Sequence, residues 1–364
     1  MSNLIPSIYH YETYIYLCLF LLVFTLIHAL ILRIHDLKNV AFINTVGYSL
    51  LVFFILFIGQ REITSRYGFG DTANYYKAFD AFSKGAPIKE VKDLGWQLFM
   101  KSLATFTTAH TFFTICAFLY IFPLYKVSKA YFKEYWYYCF FAFLVSFSFY
   151  TYGVNGVRNG VAGSLFLWGL CYKDKKWLMI LLFAWAIMFH KTITLPVIAY
   201  LLTYLYNNPK SYLIAWFVAI PLSLVMGSVW IGIFASLGFD DRLSGYLAGS
   251  TTGTTSFRWD FIFYSSFAVF AGWYFIFKKK FKDRFYNQLL NTYLICNAFW
   301  ILVIRANFSN RFAYLSWFMM AIVIFYPFLK TRLFKNHHLT LAKVLIAYFM
   351  FTFLMFFIYY ADKR

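Results

Sequence analysis

The sequence predicts an all-α, polytopic membrane protein on three observations. Of its 364 residues, 62% are hydrophobic and only 13% are charged, against about 25% charged in soluble domains. Apolar runs recur from Tyr14 to the C-terminus, and in lipid a helix satisfies its own backbone polar groups. Basic clusters stand at every second connection between those runs, as cytoplasmic loops do under the positive-inside rule.

About twelve spans follow in order, near residues 13–32, 41–59, 108–125, 136–151, 157–172, 177–190, 192–206, 212–237, 261–277, 287–304, 312–329 and 341–360. Crossing hydrocarbon takes about 20 residues, so several are short. Pro123, Pro196, Pro221 and Pro327 fall inside spans and are expected kinks. The opening MSNLIPSIYHYETY has no Lys or Arg before the first apolar run, so that run reads as a retained helix, not a cleaved signal. With no Gly/Ser linker and no internal repeat, the expectation is one integral membrane domain over 1–364. Its five cysteines all lie in apolar segments and lack metal-ligand spacing, which makes them small core hydrophobes.

Charge orients the chain. RIHDLK at 33–38, KVSKAYFK at 126–133, KDKK at 173–176, Lys210, KKKFKDR at 278–284 and KTRLFK at 330–335 mark the cytoplasmic side. A net charge of +19 is thereby explained by basic loops, without a nucleic-acid partner. Both termini then face outward, as do two long connections, 60–107 and 238–260. The first ends in DLGWQLFMKSLATF, whose apolar spacing predicts an amphipathic helix at the interface. The second, rich in Gly, Ser and Thr, is a candidate lid.

No carboxylate falls near the middle of a span. Ion-coupled transporters place an ionisable group there, so that class is disfavoured. A serine hydrolase reading of GSLFLWG lacks any triad signature. The outward side instead collects arginines that topology does not require: Arg158 in GVRNGVAGSLFLWGL, and Arg305 and Arg311 around ANFSN. A planar guanidinium fork suits phosphate oxygens. His190 and Lys191 stand together and extend the candidate anion site. Asp71 in GFGDT reads either as a helix N-cap or as a general base. Tyr75, Tyr76, Asp93 and Trp96 are candidate sugar contacts. No His/Asp/Glu group resembles a divalent-metal cage, and no cofactor is implied.

YGFGDTANYYKAF, GVRNGVAGSLFLWGL, MFHKTITLP and NRFAYLSWF together resemble, in order, the motifs of the EpsG-like exopolysaccharide polymerases, a branch of the Wzy-type O-antigen polymerases. The chain departs from that pattern at one point: Asp93 in KDLGWQ stands where a glutamate is expected. The resemblance implies a GT-C-like helical fold in the bacterial inner membrane. It implies polymerisation of undecaprenyl-pyrophosphate-linked repeat units on the outer side, with a chain-length regulator as a candidate partner. Asp71 would be the general base, and Arg158, His190, Lys191, Arg305 and Arg311 would hold the departing pyrophosphate. Two other classes stay open: an O-antigen ligase-like transferase, and a non-enzymatic flippase or exporter of lipid-linked oligosaccharide.

The charge alternation makes a topological prediction. Thiols introduced into 60–107 and 238–260 should react with an impermeant maleimide added to intact cells, and thiols in 278–284 should not. The reverse labelling pattern would overturn the orientation.

Overall fold

Apolar length and helix-compatible spacing produce helices where the sequence expects them. The computed structural model describes residues 5–32, 36–64, 69–88, 93–236, 256–306 and 309–359, and every regular element among these is helical. Among the described residues, seven segments are long and apolar enough to cross a membrane: Ser7–Ile31, Leu37–Gly59, Ala109–Phe132, Pro209–Phe234, Trp259–Lys278, Asn310–Lys330 and His337–Tyr359. The five other expected spans are shorter or more polar helices. Val157–Leu170 has 14 residues, about 21 Å of helix, against about 30 Å of hydrocarbon. The stretch 136–151 is broken into two pieces. Residues 237–255, most of the expected lid, lie outside the described residues.

By proximity the chain gathers into two units, Met1–Lys191 with Phe328–Arg364, and Thr192–Pro327. The first contains α1 (Ser7–Ile31), α2 (Leu37–Gly59), α3 (Thr72–Ser83), α4 (Leu94–Ala104), α5 (Ala109–Phe132), α6 (Trp136–Leu144), α7 (Phe149–Val154), α8 (Val157–Leu170) and α9 (Lys176–Phe189). The long C-terminal helix His337–Tyr359 packs against α1. α5 sits among α2, α6 and α8, and α8 packs on α9. Exposed Phe20, Ile27 and Leu30 on α1 contrast with buried Tyr14, Ile15 and Cys18; in a bilayer the exposed stripe is the lipid face. The connection between α2 and α5 holds α3 and α4, the second being the expected amphipathic helix, with Trp96, Met100 and Ala104 buried along one stripe.

The α6–α7 break falls inside an apolar bundle, where freed carbonyls cannot turn to water. Side chains supply their donors. Tyr14 Oη donates to the Leu144 carbonyl at 2.6 Å, Thr352 Oγ1 to Val145 at 3.1 Å and Tyr120 Oη to Phe149 at 3.0 Å. α1, α5 and the C-terminal helix thus fix where the chain turns.

The second unit contains α10 (Thr194–Leu205), α11 (Pro209–Ser236), α12 (Trp259–Trp273) with a π-helical extension to Lys278, α13 (Arg284–Leu302), α14 (Asn310–Trp317) and most of α15 (Met320–Lys330). Of the expected proline kinks, Pro196 lies in the first turn of α10, where a missing N–H costs no helical bond. α11 runs through Pro221 and loses helical geometry at Met226. α13 is too polar to score as a span on composition, yet it is largely buried. Its polar groups are used between helices. Gln288 donates to the Tyr200 carbonyl at 3.1 Å and Asn291 to Asn207 at 2.8 Å. Asn297 accepts from the Trp216 indole at 2.7 Å and donates to Ser265 and Ser316 at 3.0 and 2.9 Å. Such bonds replace the hydrophobic drive that helices lack in lipid.

In the first unit, Arg61 ties three chain segments together at the end of α2. Its Nη1 donates to the Ile58 carbonyl at 2.6 Å, its Nη2 to Thr72 Oγ1 at 2.8 Å and to the Val154 carbonyl at 3.2 Å. Thr72 Oγ1 also donates to Val154, and the guanidinium lies 4.7 Å from the Phe113 ring centroid. Burial pulls this cation down to about 10, still protonated at neutral pH. Arg61→Ala removes those donors, and each buried acceptor left without one costs about 1–3 kcal/mol. The thermal unfolding midpoint of the detergent-solubilised protein should fall by several degrees. An unchanged midpoint would show that Arg61 does not hold these segments.

Candidate active site

Arg158 is the second residue of α8. A cation there faces the positive end of the helix dipole, an unfavourable position unless an anion compensates. Asp93 supplies that anion. Its Oδ2 lies 2.9 Å from Arg158 Nη1, and its Oδ1 accepts the Lys191 backbone N–H at 2.8 Å. His190 Nδ1 lies 4.0 Å from the same Oδ2. The Asp93 side chain is 0% exposed, that of Arg158 15% and that of His190 12%.

Local structure explains how Asp93 reaches this point. It occupies the residue before α4 with φ 52° and ψ 48°, the left-handed region that Asp tolerates better than most residues. Aspartate at that position usually caps its own helix, but here the side chain makes no bond to the α4 backbone. It turns instead to α8 and the end of α9. Gly95 makes that approach possible: a Cβ there would stand 2.7 Å from Met188 Cβ and 3.0 Å from its carbonyl oxygen. His190 follows the last turn of α9 in extended geometry, and the chain then bends through Lys191. The Lys191 side chain is exposed.

The pair does not use the whole guanidinium. Among the described residues, Arg158 Nε is enclosed and has no hydrogen-bond partner. A buried donor without a partner costs about 1–3 kcal/mol, and Asp93 Oδ2, although 2.9 Å from Nη1, is likewise buried without a hydrogen-bond partner among the described residues.

Asp71 is pinned beside this site through the α7–α8 turn. Its N–H donates to Asn155 Oδ1 at 2.7 Å, three residues before Arg158, and its Oδ1 accepts from Asn74 Nδ2 at 3.2 Å. Gly70, at φ 50°, lies so close to Asn155 that a Cβ would sit 2.3 Å from Oδ1. The Asp71 side chain makes no capping bond to α3, and the residue is half-buried. The N-cap alternative therefore has no bond to support it among the described residues.

Of the candidate sugar contacts, Tyr75 and Tyr76 are half-buried. Trp96 is 2% exposed and packed among Tyr75, Phe99, Phe112 and Phe189. Trp96 and the Asp93 side chain are enclosed, so here they serve packing and positioning. Arg305 and Arg311 belong to the second unit. There Arg305 lies 5.9 Å from the Phe257 ring centroid, and Arg311 is half-buried in the first turn of α14. In that unit Arg258 also grips Asp260 with two bonds, 2.9 and 2.6 Å. Two residues of the first unit's site escaped sequence reasoning, Arg61 and Asn155. Arg61 directly follows a long apolar run, a position where burial is plausible, whereas nothing in the sequence distinguishes Asn155.

A family model described as the EpsG family matches residues 46–363. No curated protein and no solved structure matches the chain.

Breaking a buried ion pair by removing one partner typically costs about 3–5 kcal/mol. Asp93→Asn and Arg158→Met should each lower unfolding stability by an amount of that order. The double variant should lose clearly less than the sum, with about 0.5–3 kcal/mol of coupling. Additive losses in chemical or thermal unfolding would show that the two side chains do not act as a pair.

Proposed function

Because the chain belongs to the EpsG family, a family of polysaccharide polymerase-type proteins, we propose that it joins lipid-linked oligosaccharide repeat units into polymer on the outer face of the bacterial inner membrane, within a GT-C-like helical fold. The observation that carries the reading is the Asp93–Arg158 pair at the start of α8, with the Arg158 side chain 15% exposed beside the helix end. A helix N-terminus with a guanidinium held beside it suits phosphate oxygens. The exposed Lys191 adds a second cation to the same corner, with the His190 ring beside it, so Arg158 and Lys191 outnumber the single Asp93 carboxylate.

The donor is a glycan on undecaprenyl pyrophosphate, and the acceptor is a sugar hydroxyl of a second lipid-linked unit. The hydroxyl oxygen forms a bond to the donor's anomeric carbon while the bond from that carbon to the pyrophosphate oxygen breaks. The hydroxyl proton passes to Asp71, and the charge on the leaving pyrophosphate is met by Arg158, His190 and Lys191. Exposure divides the roles of the two aspartates. Asp71 is half-buried and can meet a substrate, whereas Asp93 is fully enclosed and positions Arg158. Tyr75 and Tyr76 are proposed as sugar contacts.

Asp71→Asn separates catalysis from helix capping, because Asn caps about as well as Asp. The variant should insert and accumulate normally but make polymer about 10²–10⁴-fold more slowly. On a gel of cell-surface glycan, the ladder should collapse to a single repeat unit on its acceptor. Normal polymer from Asp71→Asn would remove Asp71 as base. Loss of all attached glycan on deleting the chain would favour a ligase or flippase over a polymerase.

A further inference from the structure

At the end of the first unit away from Arg158 lies a cleft of about 980 Å³ between the end of α1, residues 328–332 and the start of the C-terminal helix. We propose that it binds the phosphate-bearing headgroup of an anionic phospholipid. Among the described residues three cations line it, Lys330, Arg332 and Lys335, all exposed, against one carboxylate, Asp36. The first turn of the C-terminal helix, residues 337–339, also lines it and adds the positive end of a 23-residue helix.

Two histidines build the inner wall. His338 has both ring nitrogens engaged: Nδ1 donates to the Leu32 carbonyl at 3.0 Å, and Nε2 meets the Tyr138 hydroxyl. It holds the helix start against α1 and α6. His337 is 7% exposed, and its Nε2 donates to the Phe328 carbonyl at 2.7 Å. That bond fixes the proton on Nε2 in the neutral ring. Its Nδ1 is buried and, among the described residues, has no partner. The neutral nitrogen is an acceptor, suited to a headgroup hydroxyl.

The apolar rim favours a lipid over a free ion. Leu30 and Ile31 line the same cleft and are 63% and 74% exposed, an open surface for acyl chains beside a cationic floor. The basic connection 330–335 belongs to the Lys-rich set that the charge pattern assigns to the cytoplasmic face, where anionic lipids meet basic pockets between helices. This inference does not depend on the polymerase reading.

The test uses the full-length protein in neutral detergent, with lipid binding read by native mass spectrometry and by the unfolding midpoint. Phosphatidylglycerol should bind at least about tenfold more tightly than phosphatidylcholine and raise the midpoint. Arg332→Ala with Lys335→Ala, both exposed side chains, should abolish that preference without changing the lipid-free midpoint. Should the double variant fail to accumulate, Arg332→Gln alone should weaken phosphatidylglycerol measurably. Competition by millimolar inorganic phosphate would support the phosphate subsite. Saturable binding of inorganic phosphate without any preference for phosphatidylglycerol would overturn the lipid assignment. Equal binding of the two lipids by the wild type, or an unchanged preference in the variants, would overturn the proposal.

Discussion

The site depends on one enclosed carboxylate. Asp93 comes from the connection before α4, Arg158 from the start of one short helix and Lys191 from just beyond the end of the next; one Asp93 oxygen faces the guanidinium and the other accepts the Lys191 N–H. In a poorly solvated setting neither charge is stable alone, since taking an ion from water costs several kcal/mol that only a close partner returns. The contact therefore fixes the position of the guanidinium at a helix end that would otherwise repel it. Gly95 supplies the close backbone approach, and the left-handed backbone of Asp93 supplies the direction.

The same rule shapes the rest of the bundle at lower intensity. Where a helix stops inside the first unit, hydroxyls of Tyr14, Tyr120 and Thr352 take up the exposed carbonyls. Where a helix carries amides, as α13 does at Gln288, Asn291 and Asn297, their N–H groups donate to neighbouring elements. Short helices and polar helices are thus both tolerated, because their loose ends and side chains are partnered by protein. Hydropathy alone cannot detect that partnership, which is why α8 and α13 differ from simple spans.

The helical class and the long apolar helices were legible in composition and run length, and so were the positions of Arg158 and His190 at helix ends. Asp93, His190 and Arg158 were each noticed in separate segments. Their junction was not readable, because it depends on a left-handed residue and on glycine contacts between segments far apart in the chain. Trp96 looked like a sugar platform by residue type, yet its ring is enclosed by four aromatic neighbours. Arg61 sits where an interface anchor would, but its donors go to two carbonyls and a threonine. Residue type suggests which groups can carry chemistry, and packing decides which of them face a substrate.

Asp93 grips position 191 through the main chain and not through the lysine side chain. The geometry of the junction is therefore insulated from the identity of that residue. Any amino acid with an amide hydrogen preserves the strut, and only proline deletes it. Position 191 can in this way vary its side-chain charge, and with it the pull on an approaching anion, while the Asp93–Arg158 pair stays in place. Architecture and affinity are separable at a single residue, which gives the site a point where binding strength can drift without disturbing the fold.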